Sequence, residues 1–124
     1  MSVNWDSIGH YATDFFTDHA VKVIREYNDP RPLFMFLSHL APHAANEFDP
    51  LQAPEEEIAK YPYIKDPSRR TYAAMVSKLD ESVGRLVKEL KAKNMLDNSI
   101  ILFFPDNGAP VVGEFSFIIT ANFF

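Results

Sequence analysis

Residues 68–108 read SRRTYAAMVSKLDESVGRLVKELKAKNMLDNSIILFFPDNG, and this stretch decides the fold class. Tyr72, Met75, Val76, Leu79, Val83, Leu86, Val87 and Leu90 recur at three- and four-residue spacing, which predicts a helix over residues 68–93 with one apolar stripe. Arg69, Arg70, Lys78, Glu81, Arg85, Lys88, Glu89 and Lys91 fall mostly outside that stripe. Ser68 suits the N-cap, and Asn94 suits the position just past the C-terminal end. Asp97-Asn98 marks a turn. Residues 99–104 then form an uninterrupted apolar run closed by Pro105, the pattern of a strand buried on both faces.

A similar layout precedes it. Phe16, Ala20, Val21, Val23, Ile24 and Tyr27 predict a helix over residues 14–28, with Thr13 or Asp14 as its N-cap. Asn28-Asp29-Pro30-Arg31-Pro32 stops that helix, because proline cannot continue it and restricts the residue before it. Residues 33–38 are a second apolar run without alternation. Strand, long helix, strand makes a βαβ unit with a right-handed crossover, and the earlier helix is expected on the same sheet. The expected class is therefore α/β, a mostly parallel sheet with flanking helices.

Between the first strand and the long helix, residues 39–67 are irregular and carry Pro42, Pro50, Pro54, Pro62 and Pro67. A loop of that length in a compact domain is more often functional than not. One short helix is expected over residues 55–59, started by Pro54.

Composition narrows the function classes. With 124 residues, 47% hydrophobic, the chain suits one domain or a piece of a larger one. Its 12 basic against 17 acidic residues leave no basic stripe to neutralise phosphates, so no nucleic-acid partner is expected. No apolar run approaches the ~20 residues of a membrane-spanning helix. The first residues show neither the basic nor the apolar region of a signal peptide. The absence of cysteine removes disulfides, thiolate metal sites, cysteine nucleophiles and any group made from a cysteine.

Ligands of open α/β sheets bind where loops leave the carboxyl ends of the strands. Residues 33–38 lead into His39-Leu-Ala-Pro-His43, and residues 99–104 lead into Pro105-Asp106-Asn107-Gly108. If both strands are parallel and close in the sheet, His43, Asp106 and Asn107 share a crevice. An adjacent Asp and Asn offer two hard oxygen donors, which suits Ca²⁺ or Mg²⁺. A histidine opposite could donate to an anionic oxygen or protonate a leaving group. Taken alone each signal is weak, since Asp-Asn-Gly is a common turn and loop histidines are mostly solvated.

In combination these residues resemble the sulfatase family, in particular its arylsulfatase B-like branch. Residues 11–20 (YATDFFTDHA) resemble the helix before the family's central strand, and residues 32–37 (PLFMFL) resemble that strand. Pro42-His43 with residues 50–56 (PLQAPEE) is similar to the substrate-histidine loop. Residues 72–84 (YAAMVSKLDESVG) resemble the following helix, and residues 100–108 (IILFFPDNG) the late metal-ligand strand. The blocks follow the family's order over roughly residues 8 to 109.

The resemblance implies an alkaline-phosphatase-like α/β sandwich, of which residues 1–110 would be part of the catalytic domain. It implies that Asp106 and Asn107 are two ligands of an active-site Ca²⁺ and that His43 is the catalytic histidine contacting the sulfate ester. His39 is the substitute if the loop is registered differently. The implied reaction is sulfate ester hydrolysis through a sulfated formylglycine, on sulfated sugars such as glycosaminoglycans or on aryl sulfates. The implied location of the parent enzyme is lysosomal or secreted.

The departures are equally specific. The family's early aspartate pair, its Cys-x-Pro-x-Arg motif and the lysine after Asp-Asn-Gly have no counterpart, so formylglycine cannot arise here and the chain alone is expected to be inactive. Residues 111–124 are expected to be a divergent apolar tail with high β-propensity, available for self-association. Two other readings remain: a non-catalytic interaction module or pseudo-enzyme using that tail, and a phosphatase or phosphodiesterase relative of the same fold.

Overall fold

The computed structural model describes residues 7–108. The element order is α1 (Ala12–Glu26), α2 (Glu55–Ile58) and α3 (Pro67–Ala92), followed by a 3-10 turn at Leu96–Asn98. All three expected helices form. The expected tail, residues 111–124, lies outside the described residues.

Helix α1 begins and ends slightly before its expected limits. Tyr11 occupies the N-cap position without a side-chain cap, and Thr13 is buried inside the first turn instead of capping it. At the other end Tyr27 is already extended, with φ −61° and ψ 120°. The Tyr27 hydroxyl donates to the Arg31 carbonyl at 2.7 Å, and Asp29 accepts from the Arg31 backbone N–H at 2.8 Å and from its guanidinium at 2.9 and 2.6 Å. That clamp takes up the residues expected to extend the helix.

Helix α3 is capped by Asp66, not Ser68: its carboxylate accepts from the Arg69 N–H at 2.7 Å, and Pro67 fills the first helical position. At the far end Asn94 adopts φ +55°, as expected of the residue past the cap. The Met95 N–H reaches Leu90 O at 2.9 Å and the Asn94 N–H reaches Lys91 O at 3.0 Å, the paired bonds of a Schellman ending.

Contacts between α1 and α3 run in the same sense along both helices. Asp14 meets Lys78 at 2.8 Å, Thr17 meets Ser82 at 2.6 Å, Asp18 meets Arg85, and Arg25 grips Glu89 at 3.0 and 2.8 Å. The two helices are therefore parallel. The chain must travel back their full length between them, as helices on one face of a parallel sheet require. Ala20, Val21 and Ile24 of α1 and Ala74 and Met75 of α3 are the buried apolar residues, joined by Thr13, Thr17 and Ser82. Short helix α2 is tied to α3 through the buried Glu57, which accepts from Ser77 and from Lys60 at 2.6 Å each.

One expectation needs correction. The α3 face buried against α1 is Ala74, Met75, Lys78 and Ser82, at the flank of the apolar stripe, and Val76 of the stripe stays 40% exposed. Lys78, expected outside, is 9% exposed because its stem packs in the seam while its ammonium meets Asp14 and Glu81. Burial lowers the Lys78 pKa, but the two carboxylates outweigh it and hold the group above its ordinary value.

The expected sheet is a separate matter, since the described residues do not contain it. No strand pairing occurs among the described residues. Residues 33–40 show period-two burial, with Leu33, Met35, Leu37 and His39 half-buried and Phe34, Phe36, Ser38 and Leu40 exposed. Phe34 reaches 91% exposure. Residues 100–104 are exposed throughout. A strand exists through its ladder partners, and neither run has one among the described residues. The half-covered stripe of α3 follows from the same lack, since a helix on a sheet buries its stripe against strands.

Asp66→Ala is expected to lower unfolding stability by about 1 kcal/mol. Asn94→Gly should leave it unchanged or raise it, because the position already has positive φ. Urea denaturation followed by far-ultraviolet circular dichroism reads both changes.

Candidate functional site

His43 sits in a loop that braces itself. Its backbone N–H donates to Leu40 O at 2.9 Å, and the Ala45 N–H donates to Pro50 O at 2.7 Å, closing the loop across its base. The Asn46 side-chain oxygen accepts from the Phe48 and Asp49 N–H groups at 3.0 and 2.8 Å, an Asx turn that holds the tip. The Gln52 amide donates to Asp49 O at 3.0 Å. A cis peptide joins Ala41 to Pro42.

The His43 ring is oriented by one bond. Its Nδ1 lies 2.6 Å from Ala44 O, and because a carbonyl only accepts, Nδ1 carries the hydrogen. Nε2 is then the nitrogen available to a ligand: an acceptor when the ring is neutral and a donor when it is protonated. A cavity of about 240 Å³ lies beside the ring, lined among others by His10, Tyr11, Leu40, Gln52 and Met75.

His39 has a different role from the one held in reserve for it. Its Nε2 lies 3.0 Å from Ser82 Oγ, which itself meets Thr17 Oγ1 at 2.6 Å in the α1–α3 seam. Its Nδ1 is buried without a hydrogen-bond partner. The ring therefore anchors the end of the 33–39 segment to the helix pair. Burial holds its pKa below the ordinary imidazole value of 6.5.

Asp106 and Asn107 lie on an exposed bend. The Asn107 amide donates to Gly108 O at 2.8 Å, which leaves its Oδ1 for a cation. Neither residue lines the His43 cavity. Among the described residues no cluster of three or more His, Asp or Glu gathers that could hold a metal. The residues meant to aim Asp106 at His43, 99–104, form no ladder that would fix their direction.

Sequence reasoning missed the polar seam of Thr13, Thr17 and Ser82. A signal for it was present. Ala74, Lys78 and Ser82 recur every four residues, a ridge whose small residues at 74 and 82 admit a close neighbouring helix, and Thr13 and Thr17 repeat the spacing on α1.

Comparison with known proteins matches the Sulfatase family to residues 2–119. Arylsulfatase J of Mus musculus is 35% identical over 111 residues, covering 88% of this chain and 18% of that protein. N-acetylgalactosamine-6-sulfatase of Homo sapiens is 23% identical over 123 residues, covering 88% of this chain and 22% of its own. A crystal structure of Ps i-CgsB in complex with k-i-k-neocarrahexaose superposes with a TM-score of 0.64 at 42% identity, over 71% of this chain and 19% of that one. The chain thus spans about a fifth of the length of the curated relatives it matches.

Ser82→Ala is expected to cost about 1–3 kcal/mol, because it leaves His39 Nε2 without its partner in the seam, while Thr17 Oγ1 keeps the Thr13 carbonyl. The depressed His39 pKa also sets a pH trend. The unfolded chain takes up this proton first as pH falls, so stability declines below about pH 6.5 and levels once the folded ring is protonated too. Urea midpoints measured between about pH 7 and about pH 5 should show that decline, and His39→Gln should flatten it.

Proposed function

The chain belongs to the sulfatase family, and from that premise we propose that it is a slice of the catalytic domain of a sulfate ester hydrolase. The observation that carries the reading is the oriented His43 ring, with Nδ1 fixed on Ala44 and Nε2 available beside a cavity. When protonated, Nε2 donates to an oxygen of a sulfate ester and supplies a proton as that oxygen leaves.

Two kinds of group complete such a site, and their fit differs. Asp106 and Asn107 fit a Ca²⁺ in kind, being a carboxylate and an amide oxygen on an exposed bend. A bound Ca²⁺ supplies positive charge that would hold sulfate oxygens. Two donors fall short of the 6–8 that Ca²⁺ takes, so the remainder come from other parts of the parent protein. A formylglycine does not fit this chain, because none of its residues is a cysteine. Within the reaction these residues bind, orient and protonate, and the nucleophile comes from elsewhere.

The parallel packing of α1 and α3 supports the alkaline-phosphatase-like sandwich. Residues 33–38 and 99–104 are its strands, paired once neighbouring strands are present, and residues 1–110 belong to the catalytic domain. Substrate class follows from the relatives: one is named for N-acetylgalactosamine 6-sulfate chemistry and one solved neighbour holds a neocarrahexaose, which favours sulfated sugars. A lysosomal or secreted parent accords with that class. The phosphatase reading loses ground, since the family match is to sulfatases.

Two measurements test this. The purified chain should show no hydrolysis of p-nitrophenyl sulfate, and clear turnover abolished by His43→Ala would overturn the proposed division of roles. Calorimetric titration with CaCl₂ should show weak binding, around millimolar or weaker, that Asp106→Ala abolishes.

A further inference from the structure

The cavity at His43 contains a second imidazole. His10 lines it from the opposite end of the sequence segment, just before α1, together with Tyr11 and Thr13. Gly9, at φ +82°, makes the turn that brings His10 there, a conformation side-chain-bearing residues rarely adopt. The His10 backbone N–H donates to Ser7 O at 3.2 Å, and its ring sits 6.1 Å from Phe15, which packs at 4.4 Å on His19. Met75, 4% exposed and part of the helix core, gives the cavity a fixed apolar wall.

The charge character of the lining is one-sided. Two imidazoles, a phenol and the Gln52 amide face it, and neither Asp nor Glu is among its lining residues. The nearest acid on α1, Asp14, is engaged by Lys78 at 2.8 Å. A site rich in donors and lacking carboxylates selects an anion. At about 240 Å³ the cavity has room for one compact tetrahedral group.

From this we infer that His10 is a second anion-binding side chain, and that the cavity takes the sulfate group of a sulfate ester between the His10 and His43 rings. The inference rests on the proposed function and deepens it: His43 addresses the ester oxygen, and His10 holds the free sulfate oxygens. No bond is made or broken by His10. It is a binding residue.

The test is a titration of the full chain with Na₂SO₄ and with p-nitrophenyl sulfate at mildly acidic pH, against NaCl at matched ionic strength. Histidine ring carbon–proton resonances are followed by nuclear magnetic resonance. The expected result is that His10 and His43 shift together with one apparent Kd for each ligand, while His19 does not move and NaCl has no effect. His10→Gln should weaken both ligands about tenfold or more, the loss of one charge-assisted bond. A shift of His43 alone, unchanged in His10→Gln, would overturn the role of His10 and leave the role of His43 standing. No shift of either ring overturns both. Equal shifts of His10, His43 and His19, with an NaCl response, mean ion atmosphere only and overturn the cavity site.

Discussion

The hydrogen bond between Thr17 and Ser82 lies where α1, α3 and the end of the 33–39 segment meet, because Ser82 also meets His39. A buried hydroxyl pair contributes only about 1 kcal/mol when made, yet costs more when half of it is removed. Its position gives it weight beyond that number. Small side chains at Thr13, Thr17, Ala20, Ala74 and Ser82 let two parallel helices approach closely, and the ion pairs Asp14–Lys78, Asp18–Arg85 and Arg25–Glu89 fix their register along the seam. Ion pairs at such partly exposed positions specify alignment more than they stabilise.

The helices were legible in the sequence because their signals are local. Proline at the start of α2, the stop after Tyr27 and Asn94 past the end of α3 each act within a few residues. The caps of α1 and α3 were less legible, since Asp66 and Ser68 both suit the position and Pro67 decides between them by preferring the first helical turn. The sheet was read from apolar runs that are real but whose pairing is not local. A strand's hydrogen bonds belong to its neighbours, and residues 33–38 and 99–104 here keep the composition of strands without the ladder.

The site was legible to the same degree. His43 could be singled out because its loop is closed by short-range bonds from Leu40, Pro50 and Asn46, which the local sequence specifies. Asp106 and Asn107 could be named from their chemistry, but their direction depends on a strand that must be held from both sides. The place of His39 was not legible for a physical reason: nothing in His-Leu-Ala-Pro-His marks which ring faces a polar seam formed by residues far away in the sequence. His10 carried no signal at all until the turn at Gly9 set it beside His43.

The seam also sets a timetable for biosynthesis. Thr17 and Ser82 are 65 residues apart, and Asp18 and Arg85 are 67 apart. At about 5–20 residues per second, α1 leaves the ribosome some 3–13 s before its partner can be made. During that interval its face toward α3, with Val21 and Ile24, is without that partner, and the apolar run containing Phe34 and Phe36 emerges before α3 as well. An isolated helix of this length is marginal in water. The α1–α3 seam therefore closes only once α3 is made, and until then the residues that set its register are held apart along the growing chain.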